Sequence, residues 1–167
     1  YRLLASLLQD NQKTDEALAV LEDGRVRLPD DLSLVRLQVE ILARSNRIDE
    51  ANKLIMEKVG NPPDSDTALI VARIFFQAGA HEEAVAWVEK ARAAGAPPVA
   101  CAILLGEIGM TAGMATDDRK QLADAVKHFE QVIAADPNQV AAANNLALLL
   151  GTTFGQPERA LALLDNA

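Results

Sequence analysis

The sequence predicts an all-α protein in which about ten antiparallel helices stack as a solenoid. Three observations support this fold class. Half of the 167 residues are hydrophobic and only 4% are aromatic, because alanine and leucine, which favour helix, supply the apolar content. Prolines recur at a fixed interval along the chain. A pattern of small and large apolar residues recurs with nearly the same interval.

The prolines mark turns between units. Pro29, Pro63 and Pro97 follow one another at equal steps, and the step from Pro97 to Pro137 is longer. Proline cannot continue a preceding helix, but it is tolerated where a new helix starts. Each of these prolines is therefore expected to end one helical unit and to begin the next.

A second landmark is an alanine that follows acidic or polar residues and precedes a large apolar residue by four positions. One helical turn separates the two members of each pair, so both lie on one face. The acidic residues before the alanine favour the positive end of a helix. The pairs are Ala17 and Leu21, Ala51 and Ile55, Ala84 and Val88, Ala125 and Phe129, and Ala160 and Leu164.

A third landmark precedes each alanine. It combines an apolar residue, a small neighbour and a large residue three positions further on, as in Leu4-Ala5 with Leu8. The fourth copy is degraded, since Leu105-Gly106 is followed by Gly109. Turn residues such as Asn11 and Gly79 lie between this landmark and the alanine. Each unit is thus predicted as a helix, a tight turn, a second helix and a proline-marked turn.

This unit of about 34 residues resembles the tetratricopeptide repeat. The resemblance covers the chain as one solenoid domain of five units, at about 1–31, 32–63, 64–96, 97–138 and 139–167. It implies a right-handed α-α superhelix. The chain opens with Tyr1 and closes on "ALALLDNA", which lacks the polar cap of a solenoid end. We therefore expect this chain to be a fragment of a longer protein.

The fourth unit contains a seven-residue insertion, which must lie between Gly106 and Ala125. Its glycines weaken helix, whereas threonine and aspartate favour caps and turns. The sequence therefore predicts that the first helix of this unit runs on by about a turn. An exposed loop over residues 113–120 and a second helix starting near Gln121 should follow.

Composition argues against several classes of partner. The net charge of −8 is unsuited to nucleic acid, whose phosphates need a basic surface. No apolar run approaches the roughly 20 residues of a membrane-spanning helix, so we expect no membrane insertion. The single Cys101 fits a reducing compartment such as the cytoplasm and is also compatible with the periplasm. The compartment is left open.

The sequence predicts no catalytic, cofactor or metal site. Asp124 and His128 are one turn apart, but a third metal ligand is missing at helical spacing. Cys101 has no neighbouring base that would activate its thiol. Trp87 is interpreted as a packing or outer-surface residue rather than a ligand platform. We therefore expect a protein that binds without catalysing.

The resemblance implies that the first helices line a concave face on which a protein or peptide partner binds. Side chains of these helices that point away from the helix contacts are the candidate partner-binding residues. For Ile70, Leu104 and Leu148, simple helix packing is an equal alternative. The candidates are Arg2, Arg36, Leu37, Glu40, Arg44, Ile70, Arg73, Phe76, Glu107, Met110, Asn144, Asn145 and Leu148.

Three functional hypotheses follow from these patterns. The leading one is a scaffold that binds a protein or peptide partner, with Arg36 and Arg73 pairing with carboxylates and Asn144 with peptide groups. The alternative is an accessory repeat region of a larger enzyme or regulator. Self-association through the uncapped ends is a third possibility. The two lysines, arginine and paired asparagines with which some related modules clamp a C-terminal carboxylate are absent here.

Overall fold

The computed structural model describes residues 1–59 and 64–165, and these residues form ten α-helices and one π-helix without a strand. The predicted all-α class is thus confirmed. The helices are α1 Arg2–Asp10, α2 Thr14–Arg27, α3 Leu32–Arg44, α4 Ile48–Val59, α5 Ser65–Gln77, α6 His81–Ala93, α7 Pro98–Thr116, α8 Arg119–Ala135, α9 Val140–Leu148, the π-helix Leu149–Thr153, and α10 Pro157–Leu164.

Consecutive helices pack as antiparallel pairs, and the sequence landmarks lie at their contacts. The small residues of both helices are buried, from Ala5 and Ala17 in the first pair to Ala147 and Ala160 in the last. The large partner of each alanine is also fully buried in the first four pairs, whereas Leu164 in the last pair is exposed. Each pair is held together by a small side chain that lets a large one approach.

Short turns connect the two helices of each pair. One residue with left-handed backbone follows the first helix in every pair: Gln12, Asn46, Gly79, Asp117 and Gly155. This conformation reverses the chain within two or three residues, which keeps the helices antiparallel and close. Among the predicted proline turns, Pro97 precedes α7 and Pro137 follows α8, whereas Pro63 lies outside the described residues.

The first helices of neighbouring pairs lie side by side. In the described part of the chain, α1 contacts α3, α3 contacts α5, and α5 contacts α7, whereas contacts of that extent are not formed between successive second helices. Crowding along one side and spreading along the other curves a stack of helix pairs. The first helices therefore form the inner surface of this curve, and the second helices form the outer surface.

Helix α7 joins two hydrophobic clusters. Cys101, Leu104 and Ile108 belong to the cluster that runs back to α1, while Ala102 belongs to the cluster formed with α8, α9 and α10. Burial on several faces explains why α7 is apolar all round. The expectation that no apolar run approaches the length of a membrane-spanning helix is therefore wrong. By length and composition α7 could cross a membrane, but the core helix of a soluble protein meets the same criteria.

The expected loop over residues 113–120 is wrong. Helix α7 continues to Thr116 and α8 starts at Arg119, so only Asp117 and Asp118 separate them. The inserted residues lengthen both helices of the pair. Asp118 caps α8 by accepting hydrogen bonds from the backbone N–H groups of Lys120 and Gln121. Asp124 therefore lies beyond the first turn of α8, in contrast to the acidic residues of the other second helices.

The glycines that predicted a loop instead allow α7 and α8 to approach closely. A Cβ atom added to Gly106 would lie 2.6 Å from Cε1 of Phe129, and one on Gly113 would lie 2.8 Å from the Leu122 side chain. These two glycines face α8 from positions about two turns apart on α7. Their lack of a side chain compensates for their weak helix propensity through tight packing.

The fifth pair absorbs one extra residue as a π-helical turn. Ala147 and Ala160 lie one position further apart in sequence than Ala72 and Ala84, their equivalents in the third pair. The π-helix Leu149–Thr153 takes up the difference, with the N–H of Phe154 donating to the carbonyl oxygen of Leu149 at 3.1 Å. A single inserted residue is commonly accommodated in this way.

We expect Gly106→Ala to destabilise the protein by about 1–2 kcal/mol, since overpacking against the buried Phe129 ring outweighs the better helix propensity of alanine. Gly109→Ala is the matched control, because its Cβ would lie 3.4 Å from Cβ of Ala125, close to ordinary contact. Thermal unfolding followed by circular dichroism would compare the two. A larger loss for Gly109→Ala would contradict the packing described here.

Amide hydrogen exchange should distinguish the extended helices from a loop. Backbone amides of Gly113–Thr116 form the last turn of α7, so they should exchange more slowly than an exposed loop of the same sequence. The comparison peptide is the isolated segment 109–122, in which no tertiary packing protects the amides. Equal exchange rates in the protein and the peptide would indicate an exposed loop rather than a helix at Gly113–Thr116.

Candidate functional site

Two adjoining grooves lie along the inner surface of the first helices. The larger, of about 740 Å³, lies between α1 and α3 and is lined by Arg2, Leu3, Ser6, Ser33, Arg36, Leu37 and Glu40. The smaller, of about 220 Å³, lies between α3 and α5 and is lined by Arg36, Leu69, Ile70, Arg73 and Ile74. Arg36 lines both grooves, which makes them neighbouring parts of one surface.

The repeat interval explains why these side chains meet. Arg2 and Arg36 occupy equivalent positions in the first two units, and Glu40, Arg73 and Glu107 occupy equivalent positions in the second, third and fourth. Because the first helices lie side by side, equivalent positions form rows across the inner surface. We call the part of this surface formed by α1, α3, α5 and α7 the inner groove.

Charges in the inner groove are partly paired. Nη1 of Arg73 on α5 donates to Oε2 of Glu107 on α7 at 3.1 Å, and Arg44 lies 3.9 Å from Glu40 within α3. Among the described residues, the exposed Arg36 has neither an ion pair nor a hydrogen bond. Its guanidinium is therefore available to another molecule without breaking a contact within the chain.

Arg2 differs from Arg36 because it lies near an acidic neighbour. Its positive charge contributes to holding the pKa of Asp31 below the ordinary value, although the hydrogen bonds from Ser33 are the larger cause. Asp31 also caps α3 by accepting from the backbone N–H of Ser33. Arg2 thus lies close enough to Asp31 for the two charges to interact.

Burial separates the apolar candidates. Ile70 is 58% exposed and Leu148 is exposed, so both are open at the surface, whereas Leu104 is 1% exposed and is a packing residue. Leu37 is half-buried beside the hydrophobic cluster of α1–α7. Phe76 and Met110 are half-buried. Phe76 packs against the cluster of α1–α7, and Met110 packs against the cluster formed with α8, α9 and α10. Ile70 is thus the most open apolar side chain among the candidates.

The three candidates on α9 lie apart from this arrangement. Asn144 is exposed and Asn145 is half-buried. In the described residues, α9 packs on α8 and α10 and has no contact with α7 comparable to that between α5 and α7. The structure therefore leaves the candidates of α9 beyond the inner groove. The candidates that it brings together along the two grooves are Arg2, Arg36, Leu37, Glu40, Ile70 and Arg73, with Glu107 paired to Arg73. Arg44, Phe76 and Met110 line neither groove.

The remaining chemical groups have structural roles. Trp87 is 1% exposed, and its Nε1 donates to Oδ1 of Asn52 at 3.1 Å, linking α6 to α4. Burial raises the pKa of the Cys101 thiol above its ordinary value. Asp124 binds Nζ of Lys127 at 2.7 Å, and this hydrogen bond lowers the pKa of the carboxyl group. Trp87 and Cys101 are therefore packing residues, and Asp124 belongs to a surface ion pair.

No group of three potential metal ligands occurs in the part of the chain that the structure describes.

The sequence analysis did not predict the Arg73–Glu107 pair, although the sequence contains a signal for it. The two residues have opposite charges and are separated in sequence by the repeat interval. Equivalent positions in adjacent units become neighbours when the units stack, so opposite charges at this interval can pair across helices.

Comparisons with known proteins agree with this architecture. The tetratricopeptide-repeat family matches residues 111–167. Comparison with curated proteins gives no match. Among solved structures, MamA 41-end from Desulfovibrio magneticus RS-1 is similar, with 16% sequence identity, a TM-score of 0.57, and coverage of 99% of this chain and 89% of that one. A crystal structure of MamA has 12% identity, a TM-score of 0.53, and coverage of 97% and 91%.

The fold and the comparisons define a tetratricopeptide-repeat solenoid. The sequence match covers the last third of the chain, and the similarity to solved structures extends the same fold over nearly all of it. The family match therefore applies to residues 111–167, and the solved structures show a similar fold for the rest of the chain. Tetratricopeptide repeats of this kind suggest a scaffold for protein interactions.

Treatment with a chelator should leave the melting temperature unchanged, because the described residues offer no three-ligand site that would couple a metal to folding. Thermal melts with and without EDTA, at matched ionic strength, would measure this. A melting temperature that falls in EDTA and recovers on adding zinc or calcium would show a metal site.

Proposed function

We propose that the chain is a protein-interaction scaffold that binds a peptide or protein partner in the inner groove. The observation that carries this proposal is the position of Arg36. Its guanidinium is exposed, lies between two adjoining grooves and has no partner among the described residues. An arginine can bind a carboxylate or a backbone carbonyl through several N–H donors, so it suits a partner's polar groups.

The rest of the groove supports an extended partner. Ile70 and Leu37 provide apolar surface on either side of Arg36, and Arg73 provides a second cation on α5. Asn144 and Asn145 on α9 would extend the site only for a partner long enough to pass α7. A rigid stack of helices presents these side chains without reordering the backbone, which limits the entropy lost on binding.

Site-specific photocrosslinking in the source cells would test where a partner binds. A photoreactive residue in place of Ile70 should crosslink a partner protein, whereas the same residue in place of Val85 on α6, which is also exposed, should not. Mass spectrometry would identify the crosslinked partner. Crosslinking from Val85 but not from Ile70 would place the site on the outer surface and refute the proposal.

With that partner purified, Arg36→Ala should weaken binding by about 1–2 kcal/mol through loss of a charge-assisted hydrogen bond. Arg73→Ala should weaken it less, because Arg73 already binds Glu107. Arg27→Ala is the matched control: it removes the same charge from an exposed ion pair on the outer helix α2. Isothermal titration calorimetry would rank the three, and Asn144→Ala would report whether the partner reaches α9.

A further inference from the structure

We propose that the partner segment is acidic, and that Glu107 sets the affinity of the inner groove by competing for Arg73. This inference rests on the proposed function and specifies its chemistry. The segment would carry two carboxylates with an apolar side chain between them. One carboxylate would bind Arg36, the other would bind Arg73, and the apolar side chain would lie on Ile70.

The charge distribution supports an acidic partner. The chain as a whole has a net charge of −8. The smaller groove, where the segment would lie, is nevertheless lined by two arginines, Arg36 and Arg73, without a carboxylate among its lining residues. Counting Glu107, which pairs with Arg73, still leaves one positive charge there. A surface that is locally positive on an acidic protein attracts carboxylates at short range and repels them elsewhere. The acidic segment would therefore be directed to this groove.

The pairing of the two arginines makes them unequal. Arg36 can donate hydrogen bonds directly to a carboxylate. Arg73 donates one hydrogen bond to Glu107. The Arg73 side chain is 48% exposed, and the Glu107 side chain is 25% exposed. A guanidinium has five N–H donors, so a second carboxylate can approach Arg73 from its open side. That carboxylate would share the guanidinium of Arg73 with Glu107 or would replace Glu107 there. Glu107 therefore competes with the partner for Arg73.

The space between the arginines is apolar. The smaller groove is bounded by Leu69, Ile70 and Ile74 together with the two arginines. Arginine stems also present methylene groups along such a surface. A side chain such as leucine would bury part of Ile70 there, which favours a segment in which an apolar residue separates the acidic ones.

The probe is a fluorescent peptide with four Glu-Leu repeats, compared with peptides that have Lys-Leu and Gln-Leu repeats. Fluorescence anisotropy at low salt should show the tightest binding for the Glu-Leu peptide, with affinity falling as salt rises. Arg36→Ala should weaken that binding by about five- to tenfold. Tightest binding of the Lys-Leu peptide would refute the proposal that the partner segment is acidic.

Glu107→Gln tests the competition directly. Removing the charge while keeping the shape should strengthen binding of the Glu-Leu peptide by about two- to fivefold, since an exposed ion pair of ordinary strength no longer competes. Glu89→Gln is the matched control. It removes the same charge from an exposed pair with Arg92 on the outer helix α6, at 3.0 Å, and should leave the affinity unchanged.

Two outcomes separate this inference from the proposed function. If Glu107→Gln and Glu89→Gln change the affinity equally, net charge explains the effect and the role of Glu107 is refuted. If none of the peptides binds while photocrosslinking at Ile70 captures a partner, the acidic segment is refuted and the inner groove remains a binding site. If crosslinking at Ile70 also fails, the proposed function fails with it.

Discussion

The close approach of a small residue on one helix to a large residue on its partner is the contact on which the rest of this structure depends. At Gly106, a single added carbon would lie 2.6 Å from the ring of Phe129. Buried alanines occupy the landmark positions of the other helix pairs. A helix pair alone leaves an apolar face uncovered, so the pairs stack, and stacking places equivalent positions of successive units in rows.

Helix α7 shows how this packing shapes the candidate site. Its contacts with both hydrophobic clusters bury Leu104, although the equivalent Ile70 on α5 is open. The inner surface is consequently accessible along α1, α3 and α5 and is more closed at α7. Glu107 marks that boundary, since it reaches back to Arg73 on the preceding first helix. The core contacts of one helix therefore set the extent of the groove.

Much of the fold could be predicted from the sequence because the repeat interval fixes the number, order and turns of the helices. The exceptions are the π-helical turn of the fifth pair and the loop predicted in the fourth unit. Gly113 and its neighbours indicate a break in the helix, but they form tight contacts with α8, and packing overrides weak propensity. Individual site residues are harder to predict. Sequence spacing places Ile70 and Leu104 in equivalent positions, and only the packing of α7 shows that one is exposed and the other is buried.

The magnitudes show that the charged pairs of the inner surface contribute much less to stability than the core contacts do. An exposed ion pair such as Arg73–Glu107 contributes about 0–1 kcal/mol, whereas overpacking a core contact costs about 1–3 kcal/mol. The fold would therefore lose little if a partner displaced Glu107, as we propose. The outer surface follows the same rule, since Arg47 binds both Asp15 and Glu50 there and lowers the pKa of Glu50 without burying it. Weak exposed pairs thus lie over a closely packed core, and the proposed exchange of Glu107 for a partner carboxylate would leave the core contacts intact.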